Sequence, residues 1–178
     1  MRMEVQIVNS VWRGKMNRPI NLCGFESLIK NLSNIKKTSY HKEQPEQLVI
    51  KFDDGSTMLI FKSGKFRIMG GKIDELTAHC NVISITSKHH HNFPEIILQT
   101  MTIVYAYPHR INLPILSQMI KCHFNTECFP AVQIIEFKPI HVNVFATGKV
   151  IMCGIKNIDD AINIKNKIDL LILIDKRL

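Results

Sequence analysis

The sequence predicts an α+β fold in which two copies of one unit pair their strands into a single antiparallel sheet. The leading observation is a repeated hairpin motif at residues 61–72 and 145–156, separated by an offset of 145 − 61 = 84. Each copy consists of a β run, a small-polar-Gly-Lys turn, a second β run and Gly-x-Lys. Glycine in such a turn supplies the positive φ that joins two antiparallel strands, so the motif indicates the same hairpin twice.

The repeat continues upstream of the hairpin, where two further segments recur in the same order. Ile-Asn-Leu stands at 20–22 and at 111–113, an offset of 111 − 20 = 91. Leu-Ile-Lys at 28–30 is matched by Met-Ile-Lys at 119–121, again an offset of 91. The change from 91 to 84 indicates a loop that is seven residues shorter in the second copy, and loops tolerate such differences at little cost.

The hydrophobic pattern gives both copies the same order of elements, namely strand, helix, three-stranded meander and helix. Alternating apolar residues predict strands, and apolar residues three to four apart predict helices. In the first copy we expect a strand at 4–11, a loop at 12–19, a helix at 21–32, a polar stretch to 47, strands at 48–52, 57–61 and 66–69, and a helix at 73–85. In the second copy we expect a strand at 95–105, a helix at 113–124, strands at 131–137, 140–145 and 150–153, and a helix at 158–173.

The duplication predicts a first repeat at 1–91 and a second at 92–178, which together form one domain. Either unit alone would have a half-covered sheet with two free edges. Two units that pair strands across a pseudo-twofold axis share one long sheet. The helices then cover one face of that sheet, and the other face is open to a ligand.

Composition and charge exclude some classes of protein and favour others. The chain has 178 residues, 46% of them hydrophobic, and no apolar run of the roughly 20 residues that a membrane helix needs. Its net charge of +8 favours a polyanionic partner, although a basic soluble surface fits the charge equally well. The five cysteines include no Cys-x-x-Cys pair, which predicts reduced thiols in an intracellular compartment. The three histidines at 89–91 are interpreted as a polar linker, because no Cys or carboxylate stands at ligand spacing.

The repeated motifs resemble those of the TATA-box-binding protein family over roughly residues 4–176. The resemblance rests on the Phe-x-[Ser/Thr]-Gly-Lys hairpin with its Gly-x-Lys, which occurs twice, and on Phe129-Pro130 and Lys138-Pro139 in the second repeat. It implies a saddle, in which two pseudo-symmetric repeats share a curved antiparallel β-sheet of ten strands with helices on the convex face. It implies a protein that is not an enzyme, with no catalytic residues, no metal and no cofactor.

The resemblance also implies a mechanism, for which the TATA-binding proteins are themselves the standard example. The concave face contacts the minor groove of A/T-rich promoter DNA, and phenylalanines wedge between base steps. Unstacking costs roughly a few kcal/mol per step, which the larger surface buried against bent DNA offsets. Lys and Arg at the rim bind phosphates. The bent DNA then nucleates assembly of the preinitiation complex.

Carried over residue by residue, the resemblance implies sixteen DNA-binding positions. Phe61 and Phe145 occupy the strand-end wedge positions, and Phe129 occupies the other wedge position of the second repeat. Its counterpart in the first repeat is Pro45 or a neighbour, so one ring is missing there. The central and groove positions fall on Asn9, Val11, Leu59, Arg67, Met69, Thr100, Thr102, Asn143, Ile151 and Cys153, and the phosphate contacts on Lys51, Lys65 and Lys149.

Several of these positions depart from the family pattern. Met69 and Cys153 stand where the family has central threonines, and both side chains donate hydrogen bonds poorly. Arg67 stands where the family has an aliphatic residue, and Ile135 replaces an expected Arg. We therefore expect a weaker preference for A·T base pairs than in a close family member.

Partners and origin follow from the same resemblance. The family recruits a B-type general transcription factor through acidic residues beside the second-repeat wedge loop, where only Glu127 matches here. RNA polymerase machinery and a homodimer formed through the concave face without DNA are further implied partners. The basic charge and the short N-terminus favour a minimal viral or divergent eukaryotic member, because archaeal members tend to be acidic. Such a member acts in the nucleus, or in the cytoplasm at a viral transcription site.

Two other function classes stay open from the residues alone. The altered concave face also fits an interaction protein that binds DNA weakly and assembles or sequesters transcription factors. Half of the saddle also occurs in some ribonucleases and DNA glycosylases, but no carboxylate cluster or helix-hairpin-helix stretch supports an enzyme here. Strand phenylalanines are usually core residues, so Phe61 and Phe145 have that alternative, while Lys65 and Lys149 could be solvated turn residues.

Overall fold

The computed structural model describes residues 5–71, 73–87 and 94–175, which form ten strands and four helices. The strands are β1 Gln6–Lys15, β2 Ile35–His41, β3 Gln47–Phe52, β4 Thr57–Phe61, β5 Lys65–Gly70, β6 Ile96–Ala106, β7 Cys122–His123, β8 Ala131–Ile134, β9 His141–Phe145 and β10 Lys149–Ile155. The helices are α1 Leu22–Ile29, α2 Glu75–Thr86, α3 Leu113–Met119 and α4 Ile158–Asp175.

All ten strands belong to one sheet in the order β2-β3-β4-β5-β1-β6-β10-β9-β8-β7. The pairings on either side of its centre are antiparallel. Four helices accompany this sheet in the described part of the chain, so the predicted α+β class is confirmed. None of the described helices is long and apolar enough to span a membrane.

The chain divides into two compact units. The first unit comprises residues 9–99, and the second comprises 1–8 together with 100–178. In the first unit α1 and α2 share a core with the buried side of β1 and β3–β5. In the second unit α3 packs against β8 and α4, and α4 packs against β10. The predicted repeat boundary between 91 and 92 lies outside the described residues, as does the histidine tract at 89–91, and both stay predictions.

The predicted loop at 12–19 was wrong at its start, because β1 continues to Lys15. Trp12 is buried, and its indole Nε1 donates a hydrogen bond to the Ile73 carbonyl at 3.2 Å. Gly14 suggested a loop but has a packing role, since a Cβ there would lie 2.3 Å from Cζ of Phe66. The glycine therefore makes room for a core ring inside a regular strand.

Two edge strands were missed in the sequence. β2 falls in the segment predicted as a polar stretch, and β7 falls inside the helix predicted at 113–124. α3 ends at Met119 because Ile120 has an extended backbone, with φ −142° and ψ 148°. Edge strands need few apolar residues when one face is open, and β7 has only two residues, so neither gives a clear periodic signal.

The repeated hairpin turns are built identically in the two units. Gly64 has φ +80° and Gly148 has φ +91°, the left-handed region that glycine adopts readily. A Cβ on either glycine would come within 2.6 Å of a backbone carbonyl oxygen of the segment that follows β1 or β6. The same segment donates to the turn in both units, from Met16 N to Gly64 O and from Tyr107 N to Gly148 O, each at 2.9 Å.

The repeated Ile-Asn-Leu motif is a helix cap in both units. Asn21 accepts a hydrogen bond from Gly24 N at 3.2 Å, and Asn112 accepts one from Ile115 N at 3.3 Å. Each asparagine satisfies a backbone donor that the first turn of a helix leaves without an intrahelical partner. The motif is therefore repeated because α1 and α3 begin in the same way.

Candidate nucleic-acid interface

In each unit the strands turn one set of side chains toward the core and the other set toward an open face. On β4 and β5, for example, Met58, Ile60, Phe66 and Ile68 are fully buried, whereas the residues between them are partly or fully exposed. This alternation follows from the two-residue period of a strand. We call the two sets opposite the core the first open face (residues 9–99) and the second open face (residues 100–178).

Strand register arranges the first open face in rows, because residues directly opposite in an antiparallel pair share a face. The first middle row runs across β3, β4, β5 and β1 as Val49–Leu59–Arg67–Arg13. A neighbouring row runs across the same strands as Lys51–Thr57–Met69–Val11.

The second open face has the same arrangement with different side chains. Its middle row runs across β8, β9, β10 and β6 as Gln133–Asn143–Ile151–Val104. The neighbouring row contains His141, Cys153 and Thr102. The Thr102 hydroxyl lies 3.9 Å from the Cys153 sulfur, and it donates the weak hydrogen bond between them.

Fifteen of the sixteen predicted DNA-binding residues lie in strands, and all fifteen are on the open faces. On the first open face these are Asn9, Val11, Lys51, Leu59, Phe61, Lys65, Arg67 and Met69. On the second they are Thr100, Thr102, Asn143, Phe145, Lys149, Ile151 and Cys153. The sixteenth, Phe129, precedes β8, and its ring packs edge-on against Phe145 at a centroid distance of 5.9 Å.

The wedge candidates differ in burial from a true core phenylalanine. Phe66 is 1% exposed, whereas Phe61 and Phe145 are only partly buried. Register also defines the counterpart of Phe129, since Ala131 opposes Phe145 as Gln47 opposes Phe61. Two residues before Gln47 stands Pro45, which is exposed. The first unit therefore has a proline where the second has a phenylalanine ring.

Positive charge is concentrated on the first open face. Arg13, Lys15, Lys65 and Arg67 line one groove of about 470 Å³ there, together with Gly14, Phe61, Phe66, Glu95, Ile97 and Gln99. Lys37 and Lys51 are directly opposite each other on β2 and β3. In residues 5–71, 73–87 and 94–175 the ion pairs join other groups, namely Lys62–Glu46, His79–Glu75 and Lys165–Asp169.

Sequence reasoning missed several residues of these faces. Arg13 was assigned to a loop, and Val49, Thr57, Val104 and Gln133 were assigned to strands without a role. The signal for Arg13 was the continued alternation Val11-Trp12-Arg13, which the following glycine obscured. The others become visible only when strand register shows which residues share a row.

The remaining predictions concern partner binding, thiols and metals. Glu127 is exposed in the loop before β8, where its backbone N–H donates to Asn125 Oδ1 at 3.0 Å. All five cysteines are free thiols, with Cys153 partly buried on the second open face. Among the described residues no group of three or more His, Cys, Asp or Glu side chains is arranged to hold a metal ion.

Comparisons with known proteins agree on one family. Residues 4–81 match the family model for transcription factor TFIID, or TATA-binding protein. The chain is 30% identical over 172 residues to the TATA-box-binding protein of Methanococcus aeolicus, with 90% of each chain covered. It is 29% identical over 175 residues to that of Methanococcus maripaludis strain C7, with 94% of this chain and 93% of the relative covered.

Comparison of the fold with solved structures identifies the same family. A solved structure of Methanococcus jannaschii TBP superposes with a TM-score of 0.78 and 28% identity, covering 95% of this chain and 98% of the other. These relatives are archaeal, so the viral or eukaryotic origin favoured by the basic charge stays a prediction. Sequence and structure together establish that the chain belongs to the TATA-box-binding protein family of transcription factors.

Proposed function

We propose that this protein is a general transcription factor that binds the minor groove of A/T-rich promoter DNA, bends it, and nucleates preinitiation-complex assembly. The observation that carries the proposal is that, in each unit, the matching strand residues lie on the side of the strands opposite the core. The fifteen strand residues that match DNA-binding positions of the family all alternate with core residues along their strands, and each of them is partly or fully exposed.

The chemistry of the two faces suits a minor groove. The minor groove presents similar acceptors at A·T and T·A pairs, so apolar contact and groove width matter more there than a donor code. Leu59, Val11, Ile151 and Val104 supply apolar surface between partly exposed phenylalanines. Lys51, Lys65 and Lys149 are exposed at strand ends, where they can reach phosphates.

Bending follows from the wedge positions. In the second unit Phe129 and Phe145 form a pair of rings. In the first unit Phe61 has no second ring beside it in sequence terms, because position 45 is a proline. Rings inserted between base steps unstack them, and the bent duplex then contacts more protein surface. We expect an asymmetric bend, because one unit inserts less aromatic surface than the other.

Partner recruitment is the second half of the proposal. The loop 125–130 is exposed apart from the partly buried Phe129 ring, and it presents the Glu127 carboxylate to solvent. A B-type transcription factor with a basic surface fits that loop, and RNA polymerase machinery would follow. The protein would then act where its promoters are, in a nucleus or at a viral transcription site. A homodimer through the open faces would form only without DNA.

The proposal is tested by fluorescence anisotropy with two duplexes of equal length, one containing TATA and one composed of G·C pairs. We expect at least about tenfold tighter binding to the TATA duplex. The alternative, an interaction protein that binds DNA weakly and assembles or sequesters transcription factors, predicts equal and weak binding to both duplexes. Sedimentation of the free and DNA-bound protein measures whether the homodimer exists and dissociates on binding.

A further inference from the structure

One carboxylate holds both ends of the loop between β2 and β3 in the first unit. Glu46 Oε1 accepts a hydrogen bond from the Tyr40 hydroxyl at 2.6 Å, and Glu46 Oε2 lies 3.7 Å from Lys62 Nζ. The Glu46 side chain is 29% exposed, whereas residues 41–45 of the loop are all exposed. We call these two contacts of Glu46 the carboxylate clamp.

The hydrogen bond is the stronger of the two contacts in the clamp. A hydroxyl that donates to an ionised carboxylate forms a shorter and stronger bond than a neutral pair does. The hydrogen bond to Glu46, followed by burial and the Glu46 charge, raises the pKa of Tyr40 to about 12, so the phenol keeps its proton at neutral pH. The Lys62 side chain is 74% exposed, and an exposed ion pair contributes little. The order of the loop therefore depends mainly on the Tyr40–Glu46 bond.

The clamp adjoins both wedge positions of the first unit. Glu46 directly follows Pro45, and Lys62 directly follows Phe61. Gln47, the next residue after the clamp carboxylate, is the Cα partner of Phe61. The clamp therefore fixes the backbone that carries Pro45 relative to the strand end that carries Phe61.

The second unit has no polar side chain at the equivalent positions. The repeat offset of 84 places the equivalents of the three clamp residues at Phe124, Pro130 and Ala146. The wedge loop of that unit is held by a ring contact instead, since Phe129 packs against Phe145 at a centroid distance of 5.9 Å. The clamp thus occurs in the unit that has Pro45 in place of the Phe129 ring.

We infer that Glu46 is a positioning residue for DNA bending, which orders the first wedge loop through Tyr40 so that Pro45 meets a base step in a fixed position. Proline is one of the apolar side chains that wedge between base steps. A loop that is ordered before binding loses less conformational freedom on binding, so more of the contact free energy is left to unstack the bases. This inference rests on the proposed function, and it adds a residue that touches no DNA itself.

The first test removes the hydrogen bond without changing the charge of the protein. Tyr40→Phe keeps the ring and deletes the donor to Glu46. We expect about fivefold weaker binding to a TATA duplex by fluorescence anisotropy, the size of one net hydrogen bond, and a smaller bend of an end-labelled duplex by energy transfer. Glu46→Gln keeps an oxygen that accepts from Tyr40, so it should bend DNA nearly as the wild-type protein does, whereas Glu46→Ala should not.

A double-mutant cycle identifies the wedge through which the clamp acts. Once Pro45→Ala has removed the wedge of the first unit, adding Tyr40→Phe should reduce the bend no further. In a Phe129→Ala background, Tyr40→Phe should reduce the bend as much as it does in the wild-type protein, because that ring belongs to the other unit.

Ser84→Ala is the matched control for a structural hydrogen bond in the same unit. It removes the bond that Asn34 Nδ2 donates to Ser84 Oγ at 2.8 Å, so it should lower the melting temperature and leave the bend unchanged. If Tyr40→Phe does not fold, the comparison of Glu46→Ala with Glu46→Gln decides by the same measurements.

The outcomes separate this inference from the proposed function. If Tyr40→Phe binds and bends the duplex as the wild-type protein does, the positioning role is wrong while DNA binding stands. If its effect on the bend adds fully to that of Pro45→Ala, the clamp does not act through Pro45, and the inference is also wrong. If the wild-type protein binds no DNA, both fail.

Discussion

The two units use the same backbone contacts but carry different side chains on their open faces. In both units, a glycine turn accepts a hydrogen bond at 2.9 Å from the segment after the first strand, and an asparagine caps the first helix. The middle rows, in contrast, differ in which residue types lie on their outer and inner strands. The first has apolar residues on its outer strands and arginines on its inner strands, whereas the second has amides outside and aliphatic residues inside.

The difference shows which positions the fold constrains. A turn glycine at positive φ and close to a carbonyl cannot change without strain, so both copies retain it. An open-face side chain touches little of its own chain. The fold therefore places little constraint on the residue type there, and a ligand can determine it. We therefore interpret the shared turn glycines and cap asparagines as structural, and the open-face positions that differ between the units as determinants of binding preference.

The largest expected effect separates a core ring from an open-face ring. Phe66→Ala should lower the free energy of unfolding by about 4 kcal/mol, because that side chain is 1% exposed. Phe61→Ala and Phe145→Ala should each cost about 1 kcal/mol or less, since both rings are partly exposed. Urea denaturation measures all three.

The same variants test bending. Phe61→Ala and Phe145→Ala should each reduce the bend of an end-labelled duplex in an energy-transfer measurement, with the protein still folded. Pro45→Phe, which restores a ring to the first unit, should increase the bend. A loss of stability as large as that of Phe66→Ala would mean that Phe61 or Phe145 is core packing and that its wedge assignment is wrong.

The next effect concerns the shared frame. Gly148→Ala places a Cβ 2.6 Å from the carbonyl oxygens of Tyr107 and His109, at φ +91°. We expect a loss of about 3 kcal/mol in unfolding free energy, from backbone strain and displacement of the adjoining segment. Gly64→Ala should cost a similar amount, because its Cβ would lie 2.6 Å from Arg18 O.

Gly55 provides the matched control for these two turns. It has φ +85° but no heavy atom within 4 Å of its would-be Cβ. Gly55→Ala should therefore show only the left-handed backbone cost, roughly 1 kcal/mol. Equal losses for Gly55 and Gly148 would mean that the close carbonyl contacts contribute nothing to the repeated motif.

A smaller effect concerns the phosphate contacts on the two faces. If Lys51, Lys65 and Lys149 each neutralise a phosphate, each Lys→Ala change should reduce the slope of log affinity against log salt by about 0.9. Sequence preference should stay the same, because phosphate contacts carry no base information. Lys30→Ala is the control, since Lys30 is exposed at the C-terminal cap of α1 and lies on no strand. If a Lys→Ala variant gives the same slope of log affinity against log salt as Lys30→Ala, the lysine that it replaces does not contact a phosphate.

Much of the fold was predictable because its signals are local. The glycine turns, the asparagine caps and the alternation of β4 and β9 are all visible in short segments, and they led to the correct fold class. The missed parts lack such signals. β2 is a polar edge strand, β7 has two residues, and Gly14 lies in a strand because Phe66 needs the space.

The candidate site was predictable only in part, for a related reason. Family motifs locate single residues such as Phe61 and Lys149, and these lie on the open faces. Pairs across strands depend on register, which a linear motif does not reveal. The Arg13–Arg67 pair became recognisable only when β1 was seen to continue past Trp12 and to oppose β5.

The smallest expected effect concerns the central positions of the two faces. Met69 lies opposite Val11 and Cys153 lies opposite Thr102, at equivalent points of the two units. Threonine at both positions would add hydroxyl donors facing the minor-groove acceptors of A·T pairs. We expect Met69→Thr with Cys153→Thr to raise the preference for TATA over scrambled A·T-rich DNA by about threefold, measured by competition anisotropy. The control is Met69→Val with Cys153→Val, because valine matches threonine in shape and lacks the hydroxyl. If the valine and threonine pairs shift the preference equally, shape and not hydrogen bonding is read at these positions, and DNA deformability carries the discrimination.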